Sequence, residues 1–249
     1  MIWSKLFKKK SALLEQPIDL GRLHTDLHSH LIPGIDDGAK TMEDSISLIK
    51  ALKDMGYKKL ITTPHIMTDY YKNTPDIINM GLESVRAELK RLEIEMEIEA
   101  AAEYMLDDGF MAKLEAGHLL TFGNKFVLVE LSYIEEPPNL NSIFFELQTN
   151  GYQIVLAHPE RYNYWHNDFS KYQDLFDRNI FLQMNINSLT GWYSHESKEI
   201  AERLLENNLI SFLGSDMHNT NYLNELKRSR FMPSLEKAIA SGKILNSKL

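Results

Sequence analysis

Histidines and carboxylates stand at the ends of short apolar runs at six places along this chain. The stretches are Asp26-Leu27-His28-Ser29-His30, Thr63-Pro64-His65, Ala102-Glu103, Val129-Glu130, Ala157-His158 and Ser215-Asp216-Met217-His218. Side chains of these types, delivered from the ends of successive strands, are how a barrel-like scaffold assembles a site for several metal ions. His28 and His30 are two residues apart, as are Asp216 and His218, a spacing that points both members to one face of a continuous strand. The Ile35-Asp36-Asp37-Gly38 turn can return a carboxylate to the same place. Glu130 and His158 each follow a run so apolar that an unpaired polar group there would be costly. Taken singly, each stretch has an ordinary structural reading: a turn histidine, a buried ion pair, an Asp-Gly turn, a solvent-exposed Glu103. One shared cation site accounts for all of them together.

Five histidines and several carboxylates with no sulfur ligand suit manganese, iron or zinc rather than copper(I). Bridging carboxylates would hold two or three such ions, which lower the pKa of a bound water and orient the resulting hydroxide toward a substrate phosphorus. The chain has no cysteine, which excludes a disulfide framework, a thiolate metal site and a cysteine nucleophile.

The elements that must position these side chains alternate in type. From about Arg22, short apolar runs alternate with amphipathic segments, the pattern of repeated strand-helix units around a mainly parallel sheet. Leu23 to Leu27 reads as a strand and Ser29 to Lys40 as a loop. Thr41 then caps a helix with Glu43 and Asp44 in its first turn and Gly56 beyond its end. Lys59 to Thr62 is the next strand, and Thr74-Pro75 starts a helix that runs to about Leu92. Met96, Ile98 and Ala100 alternate with glutamates toward Glu103, and Asp107 to Ala116 reads as helix. Further strands are expected at Phe126 to Leu131, Ile154 to Ala157, Phe181 to Met184 and Ile210 to Leu213, with helices near Ile143 to Asn150 and Glu196 to Asn207. The count is about seven strands.

A length of 249 residues suits one catalytic α/β barrel domain. We expect that domain to span 21–249, after an N-terminal tail over 1–20 that is mobile. Hydrophobic residues make up 43% and charged residues 25%, which is globular rather than disordered composition. A net charge of −8 argues against broad capture of nucleic acid. No apolar run approaches the roughly 20 residues needed to span a bilayer. Charges interrupt the first ten residues, so no secretory signal is read and a cytoplasmic protein is expected. Trp3, Leu6 and Phe7 stand beside four lysines there, and a basic tail is favoured over a membrane contact.

Together, Asp26-Leu-His-Ser-His30, Ile35-Asp-Asp-Gly38, Thr63-Pro-His65, Ala157-His-Pro-Glu-Arg-Tyr162 and Ser215-Asp-Met-His-Asn219 resemble the polymerase-and-histidinol-phosphatase (PHP) superfamily. Within it they resemble the bacterial tyrosine phosphatases of capsular and extracellular polysaccharide synthesis. The resemblance covers nearly all of the chain after residue 21. It implies a distorted (β/α)7 barrel of PHP type and a manganese-dependent phosphotyrosine phosphatase, often acting on the tyrosine-rich tail of a polysaccharide-controlling kinase. By the same resemblance His28, His30, Asp37, His65, Glu103, Glu130, His158, Asp216 and His218 are metal ligands. Asp37 is preferred to Asp36 because the motif places the ligand directly before Gly38. Arg161 matches an arginine that contacts substrate phosphate, a task for which guanidinium has planar donors. Phenolate, with a reference pKa of about 10, is a good leaving group for such a site.

Family members often carry a second arginine shortly after the Asp-x-His-Asn motif, where this chain reads Asn219-Thr220-Asn221-Tyr222. Lys227, Arg228 and Arg230, further on, read as exposed helix-face charges. Tyr70 and Tyr71, in the loop after His65, offer an aromatic wall for a tyrosine ring, with packing the favoured reading. Three other readings use the same ligands: a small-molecule phosphomonoesterase such as a histidinol phosphatase, a non-catalytic metal-binding regulatory module, and a DNA exonuclease, the last disfavoured because no basic groove is evident. The oligomeric state is open.

Overall fold

The computed structural model describes residues 12–249. Nine short strands, all pairing in parallel, run through it: β1 (Thr25–Leu27), β2 (Lys59–Thr62), β3 (His65–Ile66), β4 (Glu97–Ala100), β5 (Glu103–Met105), β6 (Phe126–Glu130), β7 (Gln153–Ala157), β8 (Phe181–Asn185) and β9 (Ile210–Gly214). They form two sheets, β1-β2-β4 and β3-β5-β6-β7-β8-β9. Pro64 interrupts the column of β2 and β3, and Ala101-Ala102 that of β4 and β5. Bonding continues across both gaps through Ala101 N–H to the Thr62 carbonyl (2.9 Å) and Glu103 N–H to the Pro64 carbonyl (3.1 Å). The nine strands therefore occupy seven positions, the number expected from the sequence.

The two ends of this arc, β1 and β9, meet without a regular ladder. Beyond the strand ends, Ser29 bridges Met217, Asp216 N–H donates to the His28 carbonyl and His30 N–H to the Met217 carbonyl, both at 2.8 Å. At the other end of the seam the Asn246 side chain donates to the carbonyls of Thr25 (2.9 Å) and Leu213 (2.7 Å) and accepts from Leu213 N–H (2.9 Å). Gly214 is needed here, because a Cβ would collide with the Leu27 carbonyl and the Gln183 amide.

Helices cover the outside: α1 (Met42–Asp54), α2 (Pro75–Arg91), α3 (Phe110–Glu115), α4 (Leu140–Thr149), α5 (Ser170–Asp177), α6 (His195–Glu206), α7 (Thr220–Ser229) and α8 (Pro233–Ala240). Thr41 and Asp44 form a reciprocal capping box on α1, and Gly56 beyond its end has φ of 110°. Both faces of the central strands are buried, so these strands read as continuous apolar runs. In β6, Val127 and Val129 face the helices while Leu128 faces inward; in β7, Ile154 and Leu156 face out while Val155 and Ala157 face in. The inner face is a separate small core of Leu27, Ile61, Ala101, Phe122, Leu128, Val155, Ala157 and Phe212.

Several expected boundaries are corrected. β1 begins at Thr25, because Asp19 caps a 3-10 turn over Leu20–Leu23 that claims Leu23. The strand toward Glu103 divides into β4 and β5. Asp107 does not open α3 from within; its carboxylate accepts from the backbone of Thr68 and Gly109, and the helix starts at Phe110. Helices α5 and α8 were not expected, and α7 was implied only by the helix-face reading of Lys227 and Arg228. Before residue 21, Leu14 N–H donates to the Phe231 carbonyl and Ile18 N–H to the Arg230 carbonyl, and Ile18 and Leu20 are buried in the main core. The basic run 1–10, with Trp3, Leu6 and Phe7, lies outside the described residues. Among the described residues no helix is long and apolar enough to cross a membrane.

Candidate metal centre

All nine expected ligands converge at one end of the seven strand positions, His65 and Glu103 at the breaks that follow β2 and β4. His28 and His30 follow β1, Asp37 sits in the loop before α1, and His65 and Glu103 open β3 and β5. Glu130 ends β6, His158 follows β7, and Asp216 and His218 follow β9. Eight are buried; Asp37 is about half exposed, with 51% of its side chain in solvent. Three overlapping groups bring ligand atoms within 4.8 Å of one another: His30, Asp37, His65 and His218; His28, His30 and Glu103; His65, Glu103 and Glu130. Glu103 belongs to two of them. His158 Nε2 lies 3.1 Å from Glu103 and 3.5 Å from Glu130, and Asp216 Oδ1 lies 3.3 Å from His28 Nε2 and 3.4 Å from His218 Nδ1.

The route to this convergence differs from the alternating-strand spacing. β1 stops at Leu27 and β9 at Gly214, and the chain then turns with φ of 82° at His28 and 50° at Asp216. His158 turns likewise, with φ of 33°. Non-glycine residues hold such conformations at a cost of order 1–3 kcal/mol, only where the surroundings over-determine them.

Those surroundings are visible as partners on the far side of each ring. His28 Nδ1 meets Gln183 Oε1 (2.8 Å), His30 Nδ1 meets Asp36 Oδ2 (2.8 Å), and His218 Nδ1 meets the Asp216 carbonyl (2.8 Å). Asp36 also accepts from the His65 N–H at 3.1 Å, so this aspartate, its side chain fully buried, supports two candidate ligand histidines while Asp37 faces the cluster. Gln183 Nε2 in turn donates to Asn185 Oδ1 at 3.0 Å, and Asn185 Nδ2 to Asp216 Oδ2 at 2.7 Å. Sequence reasoning missed Gln183 and Asn185, although two amides at alternate positions of an otherwise apolar β8 were a signal.

The donor set fits divalent cations. His30 Nε2, His65 Nδ1 and Glu130 Oε2 are buried and have no hydrogen-bond partner, an expensive arrangement unless an ion takes their lone pairs. The charges point the same way. Burial raises Glu103, but His28 and His65 charges and hydrogen bonds from His158 and His28 outweigh it and hold the carboxyl well below its usual range. Burial and then the Glu103 charge push Glu130 well above its usual range. Two carboxylates this close cannot both ionise without a cation between them. Burial would lower His28, yet the Glu103 and Asp216 charges raise it to about 9; burial and then the Arg161 charge lower His158 to about 4.

A cavity of about 220 Å³ opens onto the cluster, lined also by Met67, Tyr71, Met105, Tyr133, Arg161 and Tyr222. Three tyrosines lie flat on ligand rings: Tyr71 on His65 (centroids 5.5 Å apart), Tyr133 on His158 (5.8 Å) and Tyr222 on His218 (4.8 Å). Packing was expected of Tyr70 and Tyr71; instead Tyr71 is a wall of the cavity and Tyr70 is exposed. Among the described residues, Arg161 is the only arginine or lysine lining this cavity. Its guanidinium stands 4.7 Å from the Tyr133 ring and 4.1 Å from that of Tyr193, with Nη1 3.4 Å from Asp216 Oδ2. Arg228 pairs instead with Glu225 and Arg230 with the Ile18 carbonyl, and neither they nor Lys227 replace the second arginine. A larger groove of about 1080 Å³ lies against α6 and α8 and contains none of the ligands.

Comparison with known proteins gives a consistent picture. Residues 24–240 match the family described as "Capsular polysaccharide synthesis, CpsB/CapC". The chain is 30% identical over 200 residues to the tyrosine-protein phosphatase YwqE of Bacillus subtilis, covering 80% of this chain and 79% of that protein. It is 28% identical over 200 residues to the tyrosine-protein phosphatase CpsB of Streptococcus agalactiae, covering 78% and 82%. A crystal structure from work on YwqE of Bacillus subtilis and CpsB of Streptococcus pneumoniae, described there as metal-dependent tyrosine phosphatases, superposes with a TM-score of 0.78 at 30% identity, covering 86% of each chain.

Proposed function

The chain belongs to the CpsB/CapC family of capsular polysaccharide synthesis, and from that membership and the geometry of its ligand cluster we propose that it is a metal-dependent protein-tyrosine phosphatase. The observation that carries this reading is the placement of one partly buried arginine and three tyrosine walls around the mouth of a histidine-carboxylate cluster. His28, His30, Asp37, His65, Glu103, Glu130, His158, Asp216 and His218 would hold two or three divalent ions, manganese by preference, with Glu103 shared between neighbouring positions. When bound, such ions supply Lewis acidity that activates water and offsets phosphoryl charge.

The rest falls to the chain's own residues. Among the described residues the Arg161 guanidinium has one polar partner, Asp216, at a long 3.4 Å, which leaves its planar fork for phosphate oxygens. Tyr71, Tyr133 and Tyr222 exclude water and offer ring faces to a phenyl group. A phenolate leaving group with a pKa of about 10 does not require a strong general acid. A phosphotyrosine protein, such as the tail of a bacterial tyrosine kinase acting in polysaccharide synthesis, is the substrate this site suits.

The test is a panel of phosphotyrosine peptide, histidinol phosphate and a phosphodiester, each with chelator and with manganese. Manganese-dependent turnover of the peptide above the others is expected. Preference for the alkyl phosphate, or metal binding without turnover, would overturn the assignment.

A further inference from the structure

We propose that Tyr193 is a positioning residue that joins the two halves of this site, its ring clamping Arg161 and its hydroxyl orienting the Asp216 carboxylate. This rests on the phosphatase reading above and adds a residue that neither the motifs nor the ligand cluster contain.

Local structure fixes where Tyr193 stands. A 3-10 run over Ile186–Thr190 ends at Gly191, which has φ of 85°, and α6 begins at His195 behind the N-cap Ser194, whose hydroxyl accepts from Ser197 N–H. Tyr193 is therefore held between a left-handed turn and a capped helix, with little backbone freedom. Its ring lies 4.1 Å from the Arg161 guanidinium carbon, closer than the Tyr133 ring at 4.7 Å on the same cation. With the 3.4 Å contact to Asp216 its only polar tether among the described residues, Arg161 depends on these two rings for its direction.

The hydroxyl does separate work. Tyr193 Oη donates to Asp216 Oδ2 at 3.2 Å and accepts from Asn185 Nδ2 at 3.1 Å. Asn185 Nδ2 and Arg161 Nη1 approach the same Oδ2, at 2.7 and 3.4 Å. Three donors thus converge on one oxygen, and Oδ1 is left to face His28 at 3.3 Å, His30 at 3.6 Å and His218 at 3.4 Å. Ring and hydroxyl serve different ligands, so different substitutions separate them.

The experiment measures inorganic phosphate binding to the manganese-loaded protein and manganese binding to the metal-free protein, both by calorimetry, in Tyr193→Phe, Tyr193→Trp and Tyr193→Leu. Tyr193→Phe keeps the ring and is expected to bind phosphate within about twofold of the parent while losing about 10-fold in manganese affinity. Tyr193→Leu loses the ring as well, and phosphate affinity falls about 3- to 30-fold. Tyr193→Trp restores phosphate affinity without restoring manganese affinity. Unchanged manganese affinity in Tyr193→Phe overturns the hydroxyl role, and unchanged phosphate affinity in a folded Tyr193→Leu overturns the clamp. Arg161→Ala separates the two levels: if it too leaves phosphate affinity unchanged, the phosphate-binding reading falls, whereas if it alone weakens binding, only the role of Tyr193 falls.

Discussion

The same inward faces of the same strands build two opposite interiors. At the strand starts, Phe126 packs edge-on against Phe181 (5.1 Å) and Phe212 (5.4 Å), and Leu128, Val155 and Ile61 complete a dry plug. Two residues beyond Leu128 on β6 comes Glu130, and two beyond Phe181 and again two further on β8 come Gln183 and Asn185. Strand period selects which side chains face inward, and depth along the strand selects whether they are hydrocarbon or ligand. The apolar end supplies rigidity; the polar end concentrates charges that only cations reconcile.

The sharpest way to break this division is Glu103→Gln, because Glu103 belongs to two of the three ligand groups. Turnover of phosphotyrosine peptide should fall by at least about 10³-fold, about 4 kcal/mol of barrier, and bound manganese measured by elemental analysis should drop, while the metal-free protein loses stability because His28 keeps its buried charge without the Glu103 carboxylate. At the other end, Phe212→Ala should lower stability by about 3–5 kcal/mol in denaturant unfolding, since the ring is fully buried. Its manganese content should not change; if it does, the two ends are not separable. Adding manganese at about 100 times its dissociation constant should stabilise the parent by about 2.7 kcal/mol, read as a shift in thermal midpoint, and the shift should shrink in Glu103→Gln.

The smallest effect is with pH, and its sign again divides the ends. His28 is raised in the folded, metal-free protein to about 9 from an unfolded value near 6.5. The stabilisation it represents is complete below pH 6.5 and is lost as pH rises through about 9. Metal affinity runs the other way, because the ligand must be deprotonated. Unfolding curves of the metal-free protein from pH 6.5 to 9 should show declining stability while manganese affinity climbs. Opposite slopes for both would exclude His28 from the ligand set.

Much of the barrel was legible because its signals are local: apolar runs end in ligands, Thr41 and Thr74 announce α1 and α2, and Gly56 marks a stop. The interrupted columns at Pro64 and Ala101-Ala102 still gave the right number of strand positions, since hydrogen bonding crosses each gap. The candidate ligands could be singled out by type and place, and the fold brings them together, but the alternating geometry first read for His28 with His30 and Asp216 with His218 does not hold, because backbone turns at positive φ are set by the seam between β1 and β9. Tyr71, Tyr133, Tyr193 and Tyr222 were illegible as a set: they come from four separate loops or helix starts, and their ring contacts exist only once the barrel has formed. Helices α5 and α8 span only eight residues each, little more than two turns, so a helical period repeats too few times to stand out.

The left-handed turns at His28, His158 and Asp216 set the direction in which such a protein would decay. At each, the backbone alone would be best served by glycine, and the metal alone by a histidine or carboxylate. A lineage released from catalysis would therefore gain ease of folding by replacing these residues first. Its descendants would keep the barrel and the phenylalanine plug, with glycines standing where the ligands once turned.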